Sequence, residues 1–188
     1  MKVWQALAAS AASAVLLGVG ACSAATVVPG EPPAQTSPAT PVAPITASGT
    51  AQVAITFYGA PDNDPPGSTD IAYPNSRHGS AGGTGSYGDP ITLATDPREL
   101  PAGSIVYVPS LRKYFVMEDD CEECINEWQT SRHPHLDLWM SATGGADLLA
   151  CEEALTPTGL TPVEVNPGLD RPVDPRPLFE AGRCWNPS

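Results

Sequence analysis

The chain has 188 residues, with 21 acidic and nine basic side chains and a formal net charge of −12. That balance excludes nucleic acid as a partner and repels anionic lipid and teichoic polymers, leaving neutral polysaccharide, cationic protein or divalent metal as better matches. The length suits a single domain once processing and linker segments are set aside.

Residues 1–21 read as an export signal: Lys2 supplies the positive start and an Ala-rich apolar stretch runs from Ala6 to Ala21. The stretch is short for a spanning helix. Its end, Leu17-Gly-Val-Gly-Ala-Cys22, is similar to a bacterial lipoprotein signal, with Cys22 as the acylated first residue. Plain cleavage near Ala24 or Ala25 is the alternative. Residues 22–48 are dominated by Ala, Pro, Thr, Ser and Val and carry one charge, Glu31. They bury no core and are expected to form a disordered tether. The expected location is therefore extracytoplasmic, lipid-anchored or secreted, with the lipid as the sole membrane contact.

The folded domain is expected over 49–188. Val53, Ile55 and Phe57 alternate with smaller or more polar neighbours, as in a strand ending at Tyr58. Gly59–Ser68 is turn-rich, and residues 75–90 form a long Gly/Ser/Asn loop, either functional or mobile. Within it, Gly82-Gly-Thr-Gly85 lacks the strand-to-helix context of a phosphate loop. Short strands follow at Ile91–Ala94, Ile105–Val108, Tyr114–Glu118, His135–Met140 and Thr161–Val165. Asp147–Ala154 is the one plausible helix. The Pro-rich tail reads as extended until Cys184 pins it. Short strands, Pro/Gly turns and little helix argue for a small all-β barrel.

Five cysteines are present. If Cys22 takes lipid, Cys121, Cys124, Cys151 and Cys184 make two disulfides, with three connectivities open. A redox or zinc role for Cys121-Glu-Glu-Cys124 is disfavoured. Flanking carboxylates raise thiol pKa values, and the other cysteines are poorly spaced for a zinc site. Asp62-Asn-Asp64 has the spacing of a calcium-loop start but lacks the later Gly and closing Glu, and Pro65-Pro66 breaks it. Asp62-Asn-Asp64 therefore reads as an Asx turn, and no metal or cofactor is expected.

Several motifs then occur in order. Leu93-Ala-Thr-Asp96, Leu100-Pro-Ala-Gly-Ser104, Met117-Glu-Asp119 and His135-Leu-Asp137 resemble the pattern of the "3D" domains of lytic transglycosylases. Thr56-Phe-Tyr-Gly59, Asp120-Cys121-Glu-Glu-Cys124 and His135-Leu-Asp-Leu138 resemble barwin and expansin motifs. Both belong to the double-psi β-barrel group, with rare lipoprotein A-like proteins and some small endoglucanases. The resemblance covers roughly residues 50–140. It implies a six-stranded double-psi barrel acting on cell-wall polysaccharide. The Gly-rich connection of the 3D domains is replaced by Cys124–Pro134, a longer loop carrying Trp128, and nothing after residue 140 matches.

Alternate strand residues share a face. With Leu136 and Leu138 inward, Asp137 joins His135 and Trp139 in an outer groove. An acid beside aromatic rings is a sugar-site composition. The expected catalytic set is Asp137 as acid with Asp119 or Asp120 as partner; the expected binding set is Thr56, Tyr58, His135, Trp139 and Trp128. Asp137 has a structural reading too, as a cap where strands cross, and Asp96 before Pro97 reads mainly as a backbone cap. The competing functions are a non-catalytic expansin-like binding module and a protease-inhibitor-like module for a basic partner. A monomer is expected in each case.

Overall fold

A computed structural model describes residues 48–185. The signal segment, the lipidation candidate Cys22 and nearly all of the tether lie outside the described residues. Six strands form a closed barrel: β1 Gly49–Tyr58, β2 Ile91–Ala94, β3 Ile105–Val108, β4 Lys113–Asp119, β5 His135–Trp139 and β6 Thr161–Val165. Two helices, α1 Glu122–Ser131 and α2 Ala146–Leu155, pack outside it, and a short hairpin, β7 Phe179–Glu180 with β8 Arg183–Cys184, closes the tail. The domain is all-β with little helix.

Strand alternation builds the core. Val53, Ile55 and Phe57 of β1, Leu93 of β2, Phe115 and Met117 of β4, Leu136 and Leu138 of β5, and Val163 and Val165 of β6 are all buried. β4 is buried along its whole length, because its outward residues are covered too: Glu118 by residues 73–78 and Tyr114 by the tail.

Around the barrel the order is β1-β5-β2-β4-β3-β6. Two neighbour pairs are parallel, β1 with β5 and β2 with β4; the other four are antiparallel. Exchanging β1, β2, β3 for β4, β5, β6 turns every pairing into another pairing of the same sense. The barrel is thus two interlocked three-strand halves related by an approximate twofold.

Three expectations need correction. Residues 122–131 are a helix, so Asp147–Ala154 is not the only one. The sequence signal is weak because only Cys124 and Trp128 are buried on α1, and its N-cap is a cysteine, whose Sγ accepts from the Cys124 N–H at 3.1 Å. Glu122 and Glu123 in its first turn suit the positive end of the helix. Of the two readings of the long loop before β2, functional or mobile, the mobile one gives way, because the loop is fixed to the barrel. Gly82 N donates to Thr92 Oγ1 at 3.0 Å, and His78 N donates to Glu118 Oε2 at 3.0 Å. Gly83 has φ +100°, and a Cβ there would lie 2.1 Å from the Pro90 carbonyl oxygen, so this turn requires glycine. Third, the tail ends in the β7–β8 hairpin instead of running extended to Cys184.

The cysteines pair as Cys121–Cys124 and Cys151–Cys184. The second bond ties α2 to β8; the first closes the turn between β4 and α1. No helix among the described residues is long and apolar enough to cross a membrane.

Candidate active site

The site lies where β4, β2, β5 and β1 run side by side. Ala94 of β2 is in register with Asp119 of β4 on one side and Asp137 of β5 on the other, and Asp137 is in turn in register with Thr56 of β1. Two strand spacings, about 9.5 Å, therefore separate the backbones of the two acids. Both line one cleft of about 500 Å³, with Tyr58, Asp62, Asp64 and Glu123 among its walls.

Asp137 has one partner among the described residues: Thr56 Oγ1 donates to its Oδ1 at 2.8 Å. Burial raises its pKa to about 7, and the nearby charges of Asp62, Glu123 and Asp119 push the same way. Asp119 is better supplied. Tyr58 Oη donates at 2.8 Å, the Ala72 N–H at 2.9 Å and the Asp120 N–H at 2.9 Å. Burial still lifts its pKa above the usual carboxylate value, while those three donors pull it back. The two carboxyls thus differ in support: burial raises both pKa values, but Asp137 has a single donor and Asp119 has three.

Behind them runs a chain of polar groups. Thr56 gives its only hydroxyl hydrogen to Asp137, so its oxygen accepts from His135 Nε2 at 2.8 Å. Nδ1 of His135 then meets Glu127 Oε2 of α1 at 3.0 Å. Buried Glu99 accepts the His135 backbone N–H and fixes the start of β5. Burial raises the Glu99 pKa to about 7 as well.

The structure brings Thr56, Tyr58, His135, Asp119 and Asp137 together. Asp120 borders the cleft but is exposed, and its Oδ1 accepts from Tyr73 Oη at 2.7 Å. Asp96 lies apart. Its Oδ1 accepts the Arg98 N–H at 2.7 Å and its carboxylate pairs with the Arg98 guanidinium, which lowers its pKa, as the backbone-cap reading expects. The two tryptophans are the clear departure. Trp128 is 2% and Trp139 3% exposed. Trp128 fills the underside of α1, and Trp139 meets Tyr58 edge-on at 5.2 Å. Neither ring offers a face for a sugar. Composition shows that rings are near an acid, not which side of the sheet they occupy.

The residues missed by sequence are Glu127, Glu99 and Glu152 of α2. Glu152 is buried, and burial raises its pKa to about 7, helped by Asp62 and Asp137. No motif marks these residues; only folding brings the helices against β1 and β5. Among the described residues no cluster of His, Cys, Asp or Glu is arranged to hold a metal ion.

Fold and site together define a small disulfide-linked β-barrel protein with an acid-lined cleft across four strands. Residues 50–185 match the family model described as the DDB_G0273701 N-terminal domain, and the chain belongs to that family. It is also 50% identical over 103 residues to "Uncharacterized protein DDB_G0273701/DDB_G0273221" of Dictyostelium discoideum. The match covers 54% of this chain and 45% of that protein, so the chain spans less than half of its relative's length. No solved structure matches the chain significantly.

Proposed function

We propose that this protein is an envelope-directed polysaccharide-cleaving enzyme on a double-psi β-barrel, with Asp137 as general acid and Asp119 as its partner. The observation that carries the reading is the pair itself. Two carboxyls flank Ala94 in one cleft, neither paired with a cation among the described residues, one held by a single donor and the other by three. The interlocked halves and two parallel pairs support the double-psi assignment, and the motif resemblance supports the substrate class.

In the proposed reaction the Asp137 carboxyl gives its proton to the glycosidic oxygen as the C–O bond breaks. Asp119 stabilises the cationic sugar centre or takes a proton from the attacking hydroxyl, which is water in hydrolysis or the sugar's own hydroxyl in a lytic cut. A binding-only module of expansin type is the second reading, but it relies on exposed rings, and the burial of Trp128 and Trp139 argues against it. Export and lipidation at Cys22 remain proposals from the sequence.

The test incubates the full chain with purified sacculi, insoluble glucans and chitin, with soluble products read by mass spectrometry. Fragments that vanish in Asp137→Asn support the enzyme. Full activity in that variant, or no fragments from any polymer, overturns it.

A further inference from the structure

The cleft carries an excess of negative charge that the chain does not neutralise. Eight of its fourteen lining residues are Asp or Glu, and none is Lys or Arg. Two neighbouring hollows continue it along β1. One is bounded by Thr56, Glu152 and Glu153, the other by Thr56, Glu123 and Glu127, and neither has a Lys or Arg in its wall. Glu123 is common to the cleft and the second hollow, and Thr56 to the two hollows, so the three form one groove. Five of the chain's nine cations are engaged elsewhere: Arg98 with Asp96, Arg112 and Arg176 with Asp174, Arg171 with Glu164, and Lys113 with the Asp174 carbonyl.

Acidity alone would be a solvated surface. Glu152 is a different matter. The residue is 6% exposed, and its Oε1 is buried with no hydrogen-bond partner among the described residues. It reaches from α2 toward the turn after β1, where a Cβ on Gly59 would lie 3.2 Å from that oxygen, and it forms part of the groove wall beside Thr56. A buried acceptor without a donor is costly unless a ligand supplies one. Among the described residues no three of these carboxylates are arranged to hold one metal ion. What suits them is a series of N–H donors, positively charged and spaced along a polymer.

We infer that the groove takes a polysaccharide of hexosamine units bearing free amino groups, and that Glu152 is a binding residue receiving one of those amines. This rests on the polysaccharide-cleaving reading above and names its substrate class. A basic polypeptide would satisfy the charge as well, but it gives the paired acids Asp119 and Asp137 no bond to cut.

The experiment uses the full chain with three probes of equal length: chitosan oligosaccharides with free amines, the same oligosaccharides fully N-acetylated, and a lysine oligomer. Binding is measured by calorimetry and cleavage by mass spectrometry. The amine-bearing sugar is expected to bind at least about tenfold more tightly than the acetylated one, a difference of about 1.4 kcal/mol, and the gap is expected to close as salt is raised. Glu152→Gln narrows the gap between the amine-bearing and the acetylated sugar. Should that variant fail to fold, Glu153→Gln in the same wall is expected to narrow it to a smaller extent.

Equal or tighter binding of the acetylated sugar, or a lysine oligomer that binds as well as the amine-bearing sugar, overturns the inference. Acetylated polymer cut while amine-bearing polymer is untouched overturns it but keeps the enzyme. Preferential binding of the amine-bearing sugar with no cleavage of any polymer removes the enzyme and keeps the ligand class. No binding and no cleavage removes both.

Discussion

The cleft and the tail clasp handle carboxylates in opposite ways. Asp174, in the tail, accepts from Arg112 at 2.9 Å and from the Arg176 guanidinium at 2.6 Å, and its carbonyl takes the buried Lys113 Nζ at 2.7 Å. Its own N–H donates to the Arg112 carbonyl, and Arg176 lies over the Trp185 ring. The guanidinium hydrogen bonds hold its pKa well below the usual range. Nearby, Tyr107 and Tyr114 donate to the Pro172 and Gly168 carbonyls and complete the seal over β3 and β4. The clasp spends a cation on its acid and gains order. Asp137 in the cleft and Glu152 in the adjoining hollow have no cation partner among the described residues, and burial raises both pKa values to about 7. An acid kept in that state weakens the fold at neutral pH, which is the signature of a group retained for binding or chemistry.

The largest effect expected from breaking this contrast is on turnover. Asp137→Asn is expected to lower polysaccharide cleavage by about 10²–10⁴-fold, the usual contribution of a general acid, in the fragment-release assay, while Asp174→Asn leaves the rate of folded protein unchanged. The same two variants should move stability in opposite directions. At about pH 8, Asp137→Asn should raise the free energy of unfolding in urea by about 1–2 kcal/mol after allowance for its partial exposure, whereas Asp174→Asn should lower the urea midpoint.

The pH dependence sharpens the sign. Asp137 has a folded pKa of about 7, above its unfolded value. The folded state therefore binds more protons, and this group's contribution is present at low pH and lost as pH rises toward 7 and beyond. Asp174, lowered, contributes stability that is present above its unfolded pKa and lost as pH falls through its folded pKa. Urea titrations should show stability falling as pH rises from about 4 to 7, and Asp137→Asn should make that fall less steep, with Glu99 and Glu152 supplying the remainder. Cleavage by the parent should fall as pH rises through about 7, as Asp137 loses its proton. The smallest effect belongs to Tyr58→Phe. It removes one of three donors to Asp119, at roughly 1 kcal/mol in stability, and should shift the acid limb of the rate profile upward because the anion loses support.

The strands were legible because inward apolar residues alternate with the rest from Val53 to Phe57 and from Leu136 to Leu138. The acid types at the site were legible for a related reason: Asp119 ends one strand and Asp137 interrupts another. Register was not. That Asp119 rather than Asp120 faces Asp137 across Ala94 follows from pairings between distant segments, which local patterns do not encode. α1 escaped because its apolar residues are few and its cap is a half-cystine. Trp128 and Trp139 misled because a ring beside an acid in sequence lies either in the groove or beneath it. Glu152 carried no signal at all, since its partners in the groove are far away along the chain.

The approximate twofold of the barrel has a further consequence. Swapping the halves carries the β1–β5 groove, with outward Thr56 and Asp137, onto the β4–β2 groove, with outward Glu118 and Thr92. In that second place Thr92 Oγ1 donates to Glu118 at 2.7 Å, and His78 Nδ1 sits 2.6 Å from the same carboxylate, brought there by the connection between β1 and β2. Each place thus holds an imidazole, but His135 belongs to β5 itself, whereas His78 is delivered from outside the barrel by a long connection. The length of the connection between β1 and β2 thus decides whether an outside residue reaches the barrel wall, and trimming residues 73–85 would remove His78 and leave Glu118 open to solvent.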